Sequence, residues 1–124
     1  MHPDTLTSIN NLATLLQVQG KLGDAEPLYR EALAGQRRTM GDSHPNTLSF
    51  IGNLAVLLQD KGNLGEAEPL CREALAGQRR KLGDAHPSTL NTMRNLAVLL
   101  HTRGELGEAE ALYCAALEGR RRLL

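Results

Sequence analysis

Residues 44–85 read HPNTLSFIGNLAVLLQDKGNLGEAEPLCREALAGQRRKLGDA, and the segments on either side are close copies of them. The copies begin at His2, His44 and His86, a period of 42 residues. The chain of 124 residues divides into units 2–43 and 44–85 and a shorter third unit, 86–124, so 1–124 is read as a single array. A period of 42 is too long for a heptad and too short for a domain. Each copy is therefore one supersecondary unit that needs its neighbours to bury its apolar surface.

Each unit contains two helical patterns. In the first copy Leu6, Ile9, Leu12, Ala13, Leu15 and Leu16 recur at helical spacing and predict a helix A that ends at Gly20-Lys21. Ala25, Leu28, Tyr29, Ala32 and Leu33 follow at i, i+3, i+4, i+7 and i+8, and predict a helix B that runs to about Met40, where Gly41-Asp42 stops it. Pro3, Pro45 and Pro87 suit the first position of helix A, where a missing N–H is no loss, and the preceding histidines suit the extended N-cap. Pro27 and Pro69 are expected in about the first turn of helix B, where donors are largely unpaired. Gly35, Gly77 and Gly119 lie in mid-helix, where Gly costs about 0.8–1 kcal/mol relative to Ala, and predict close approach of a neighbouring helix. No strand pattern competes, so the expected fold is all-α: three helix-turn-helix units, six helices, stacked so that each helix A packs on its own B and on the B before it.

The motif LAxLLxxxGxLGxAEPLxxxAL resembles the tetratricopeptide repeat, with Leu12, Ala13, Leu16, Gly20, Leu22, Ala25, Tyr29 and Ala32 at its signature positions. The 42-residue period and the GDxHPxTL and NLAxLL segments resemble more narrowly the kinesin light chain type. The resemblance spans residues 2–124 and implies an α-solenoid wound as a right-handed superhelix. It also implies an intracellular protein-interaction module that binds an extended peptide in the concave groove lined by the A helices.

Composition narrows the alternatives. The formal net charge is zero, with 14 basic and 14 acidic side chains, so the whole-molecule field draws in neither nucleic acid nor an anionic membrane. Tyr29, Phe50 and Tyr113 are the only aromatic residues and form no stacking platform for bases. No apolar run approaches the length of a membrane span. Cys71 and Cys114 replace a Tyr and an Arg of sister copies and do not read as a planned bridge; Cys71 is expected in the core and Cys114 at the surface. The histidines fall one per repeat, too far apart for a metal set, and no cofactor is expected. No phosphate loop, HExxH-like pair or nucleophile with a base in reach is present, so an enzyme is not expected. The Arg pairs at 37–38, 79–80 and 121–122, late in helix B, read as solvated cations near the negative helix end.

Removing the packing face of helix A leaves a stripe of Thr7, Asn10, Asn11, Thr14, Gln17 and Val18. Its counterparts are Ser49, Gly52, Asn53, Val56, Gln59 and Asp60, then Asn91, Arg94, Asn95, Val98, His101 and Thr102. These form the expected groove floor. Asn11, Asn53 and Asn95 are the leading contacts, because Asn is a poor helix former whose amide both donates and accepts, as a peptide backbone requires. The other reading has the three amides bonded to one another or to neighbouring helices. Arg94 is the natural anchor for an acidic group, and Asp60 opposes it in sign.

An assembly segment is the alternative function. Leu6 and Ile9 at one end, and Tyr113, Leu117, Leu123 and Leu124 at the other, are expected to lack a covering neighbour. They would support a homo-oligomer built by end-to-end stacking or helix exchange.

Overall fold

In a computed structural model that describes residues 2–123, six α-helices follow one another and no strand occurs among the described residues. They are α1 (Pro3–Val18), α2 (Leu22–Met40), α3 (Pro45–Asp60), α4 (Leu64–Leu82), α5 (Pro87–Thr102) and α6 (Leu106–Leu123). Each helix packs on its neighbours in sequence, and α3 also touches α5, as expected for three stacked helical hairpins. No helix among the described residues is long and apolar enough to cross a membrane.

The helix ends follow from local chemistry. His2, His44 and His86 are extended N-caps whose Nδ1 accepts from the N–H of Asp4, Asn46 and Ser88 at 3.0, 3.0 and 3.1 Å. This fixes one role for the periodic histidines, because each Nδ1 must be unprotonated to accept. Helix A ends at a left-handed glycine. At Gly62, with φ of 83°, the Gly62 N–H reaches the Gln59 carbonyl and the Asn63 N–H reaches Leu58, the paired bonds of a Schellman motif. Helix B ends at Gly83, whose φ of 94° and ψ of 162° are open almost only to glycine.

Pro27 and Pro69 depart from expectation. Helices α2 and α4 start at Leu22 and Leu64, so each proline is the sixth helical residue, in the second turn. The hydrogen bond each proline removes is the one to the carbonyl four residues earlier, at Gly23 or Gly65. Those glycines sit in exposed first turns with nothing packed against them, so water can take the place of the missing N–H.

The core runs along the stack as two apolar clusters, one joining the first and second units and one joining the second and third. Small residues at equivalent places, such as Ala13, Ala25 and Ala32 in the first unit, are fully buried and bring helices A and B close together. The glycines complete this approach. A Cβ on Gly77 would lie 2.5 and 2.8 Å from the two methyls of Leu48, and one on Gly119 would lie 2.5 Å from Leu90 Cδ2; Gly35 meets Leu6 in the same way. Helix B thus lies against a buried leucine of its own helix A.

Candidate functional site

The stripes expected to line a groove lie on the A helices α1, α3 and α5. Successive B helices are linked across the other side by long ion pairs: Arg30 to Glu66 at 2.8 Å, Arg37 to Glu73 at 2.9 Å and Arg72 to Glu108 at 2.8 Å. A second set ties each unit to the next, Lys61 to Glu26 and Arg103 to Glu68. The Lys61 hydrogen bond, then that of Arg30, holds the Glu26 carboxyl below the usual carboxylate range. Arg37 is therefore not a merely solvated cation, because it pairs with both Asp42 and Glu73. The regular offset of 36 residues between these Arg and Glu partners is a signal in the sequence that helix-end reasoning overlooked.

Between α3 and α5 lies a cavity of about 200 Å³ lined by Ser49, Gly52, Asn53 and Val56 on one side and Ser88, Asn91, Thr92 and Asn95 on the other, with Gln78 of α4 also in its lining. No lining residue is charged. The volume falls below the ~300–1,000 Å³ of small-molecule sites and suits one side chain of a longer ligand. Asn53 and Asn95 are half-buried and Asn11 is exposed. Among the described residues, no hydrogen bond joins the three amides to each other or to another side chain. The reading in which they bond to one another is not the arrangement observed.

Gln78 was missed because it belongs to helix B. It is only 3% exposed, and its Oε1 has no hydrogen-bond partner among the described residues. The signal was available, since Gln36 and Gln78 continue the i+3, i+4 apolar face of Ala32-Leu33 and Ala74-Leu75, which places a polar side chain in the interior. Arg120 holds the same place in the third unit and donates from Nη2 to Asn91 Oδ1 at 2.8 Å. Asn91 is thereby oriented from the helix-B side.

Other members of the expected floor serve the fold. The Tyr29 hydroxyl donates to Gln17 Oε1 at 2.6 Å and lies 3.0 Å from Thr14 Oγ1, while Gln17 Nε2 donates to Asp60 Oδ2 at 2.8 Å. Burial pushes the Tyr29 hydroxyl pKa up, so it remains a donor. This chain of bonds joins the first unit to the second and engages Thr14, Gln17 and Asp60. Asn10 is 8% exposed with an unpartnered Oδ1, so it lies beneath the surface. His101 meets Tyr113 edge-on at 6.5 Å between ring centroids, towards the end of the stack. Thr7 and Arg94 are exposed, and Gln59 and Val98 are half-buried along their helices.

The two thiols differ sharply. Cys71 is buried, its Sγ–H faces the Thr92 carbonyl at 3.8 Å, and burial pushes its pKa up to about 11; Cys114 is exposed. In the folded protein iodoacetamide at mildly alkaline pH is expected to label Cys114 and spare Cys71, read by peptide mass spectrometry. Equal labelling of both would show that the second and third units open readily.

At the ends, the structure corrects one expectation and extends another. Leu6 is fully buried against Gly35 and does not belong to the open face; Ile9 is half-buried, and Leu12 and Leu15 are the exposed residues there, at 48% and 53%. At the other end Tyr113, Leu117 and Leu123 are exposed, as is Leu106, which the sequence reading omitted. Leu124 lies outside the described residues.

Residues 48–122 match a family model described as Tetratricopeptide repeat, and residues 5–46 match a second model of that description. Among solved structures, the chain is similar to the nearly identical TPR-like repeats of Podosopora anserina attributed to a kinesin light chain. The TM-score is 0.91 and identity 30%, over 99% of this chain and 58% of that one. It is also similar to BtubC (BKLC) from P. vanneervenii, with a TM-score of 0.91 and 25% identity over 100% of this chain and 49% of that one. The chain thus spans about half of the length of these relatives. No curated protein matches it.

Proposed function

Since the chain belongs to the tetratricopeptide repeat family, in its kinesin light chain-like form, we propose that it is a protein-interaction module holding an extended peptide in the groove lined by its A helices. Tetratricopeptide repeats generally mediate protein–protein interactions. The observation that carries the finer reading is the uncharged cavity between α3 and α5, lined by Asn53, Asn91 and Asn95 together with Gln78 of α4. An extended peptide exposes alternating N–H and C=O groups, and carboxamides complement both. Because the cavity lining is uncharged, a peptide with small polar side chains fits it better than a strongly acidic one. Arg94, exposed within the third stripe, is available for one acidic group of the ligand. An intracellular setting is part of this proposal, supported by two unpaired thiols that suit a reducing compartment.

The test is selection from a random-sequence peptide library, followed by calorimetry with a selected peptide. Asn53→Ala is expected to weaken binding by about 0.5–1.5 kcal/mol, roughly 2- to 12-fold, while the melting temperature changes little. Peptides that perturb only residues at the ends of the stack, or an Asn53→Ala variant that binds unchanged, would discard the groove reading.

A further inference from the structure

The repeat calls for four Arg–Glu links between successive B helices, and three of them form. Arg30 binds Glu66, Arg72 binds Glu108 and Arg37 binds Glu73, each across an offset of 36 residues. The fourth would join Arg79 to position 115, which carries alanine. A cavity of about 180 Å³ lies there instead, between α4 and α6, with Arg79, Asp84, Ala115, Glu118 and Arg122 in its lining and the buried Met93 of α5 beneath. It shares no lining residue with the cavity between α3 and α5.

The first interface shows what such a place holds. Arg37 donates from Nη1 to Glu73 Oε2 at 2.9 Å and from Nη2 to Glu73 Oε1 at 3.3 Å, a fork-to-fork pair, and also from Nη1 to Asp42 Oδ1 at 2.8 Å. Arg37 is half-buried by these contacts, whereas Arg79 is exposed. Among the described residues the ion-pair partner of Arg79 is Asp84 alone, 3.6 Å from Nε and too far for a hydrogen bond. The guanidinium fork that binds Glu73 in the first interface is thus open to a ligand in the second.

We propose that this cavity binds the carboxylate of a glutamate side chain from a partner protein, which takes on Arg79 the place that Glu73 takes on Arg37. The charges of the lining select this ligand. Arg79 and Arg122 are balanced by Asp84 and Glu118, and Arg122 is already held by Glu118 at 3.1 Å. One added carboxylate gives Arg79 the two-carboxylate surroundings that Arg37 has with Asp42 and Glu73. A dianionic phosphate would add a second negative charge beside Asp84 and Glu118, where repulsion opposes it. Met93 beneath offers apolar contact to the methylenes of glutamate. The contact is modest by itself, because Arg79 is open to water, and it fixes the position of a partner rather than supplying most of the affinity. The proposal is independent of the groove reading.

The test follows the Arg79 Nε–H signal by nitrogen-15 NMR of the whole chain, assigned by its loss in Arg79→Lys. N-acetylglutamate amide is the probe, and N-acetylglutamine amide and N-acetylphosphoserine amide are its comparisons. The glutamate compound is expected to move the Arg79 signal saturably and at least about 5-fold more tightly than it moves that of Arg80, exposed on the same turn of α4. The glutamine compound is expected to leave both unmoved. Ala115→Glu, at an exposed position, restores the missing link within the chain, so the probe is expected to lose its effect on Arg79 while the melting temperature holds or rises. An Arg79 signal that does not move, or moves no more tightly than that of Arg80, would overturn the proposal. So would an undiminished response in Ala115→Glu, because the probe would then bind elsewhere. Tighter binding of the phosphoserine compound than of the glutamate compound would overturn it in favour of a phosphate site.

Discussion

Leu54→Ala is expected to cost about 2–5 kcal/mol of folding free energy, whereas Leu12→Ala, the same change at the same position of the first repeat, is expected to cost under about 1 kcal/mol. Leu54 is 2% exposed and Leu12 is 48% exposed, although the surrounding NLAxLL motif is the same in both units. The difference lies in the neighbours. Leu54 has a helix B before it as well as its own, so truncation leaves a cavity with walls on both sides. Among the described residues no second helix covers Leu12, so truncation there removes contacts on one side only. In a stack whose stability is a sum of unit and interface terms, the Leu54 change weakens a central interface and separates the cooperative unit. Urea denaturation at micromolar protein, followed by circular dichroism, measures both costs. Equal costs would mean that the α2–α3 interface contributes no more than the open face does.

Gly77→Ala is expected to destabilise the protein by about 1–2 kcal/mol, against the gain of up to about 1 kcal/mol that helix propensity alone would give. The added methyl would sit 2.5 Å from Leu48 Cδ2 and 2.8 Å from Cδ1, with Cγ at 3.2 Å. A leucine at the surface could turn away, but Leu48 is 2% exposed in the packed core. Any relief must move the leucine against other side chains or push α4 away from α3. A double variant separates these costs: Leu48→Ala removes the obstructing methyls, so adding Gly77→Ala to Leu48→Ala is expected to be neutral or stabilising. A rise in melting temperature for Gly77→Ala alone would show that Leu48 repacks freely.

Binding along several units needs the stripes to be alike in spacing and different in detail. Asn11, Asn53 and Asn95 keep the spacing, while Asn10, Gly52 and Arg94 supply the differences. Tyr113 with Leu117 keeps the pair found in the first repeat, whereas the second repeat has Cys71 in place of the tyrosine. The central interface tolerates that change because Cys71 is desolvated among apolar neighbours, where its thiol acts as a small hydrophobe.

The 42-residue period, the helical spacing within it and the glycines at each turn determined the helices, their order and their stacking without reference to any tertiary contact, because caps, turns and amphipathic periodicity are local properties. Even the close approach at Gly35, Gly77 and Gly119 was legible, since a poor helix former repeated at one position asks for a steric reason. The second-turn place of Pro27 was not legible to the residue, because the helix start depends on how Leu22 packs as well as on the turn before it. Nor could equivalent positions be told apart by sequence: Leu12 and Leu54 read alike, and only the packing of α2 on α3 buries the second. The same holds for Leu6, which shares the apolar face of α1 with Leu12 but points at Gly35 of its own hairpin. Tertiary structure alone placed Gln78 beneath the Asn stripe and drew Gln17 and Asp60 into a bond between units, because partners separated by a whole repeat meet only once the stack has formed.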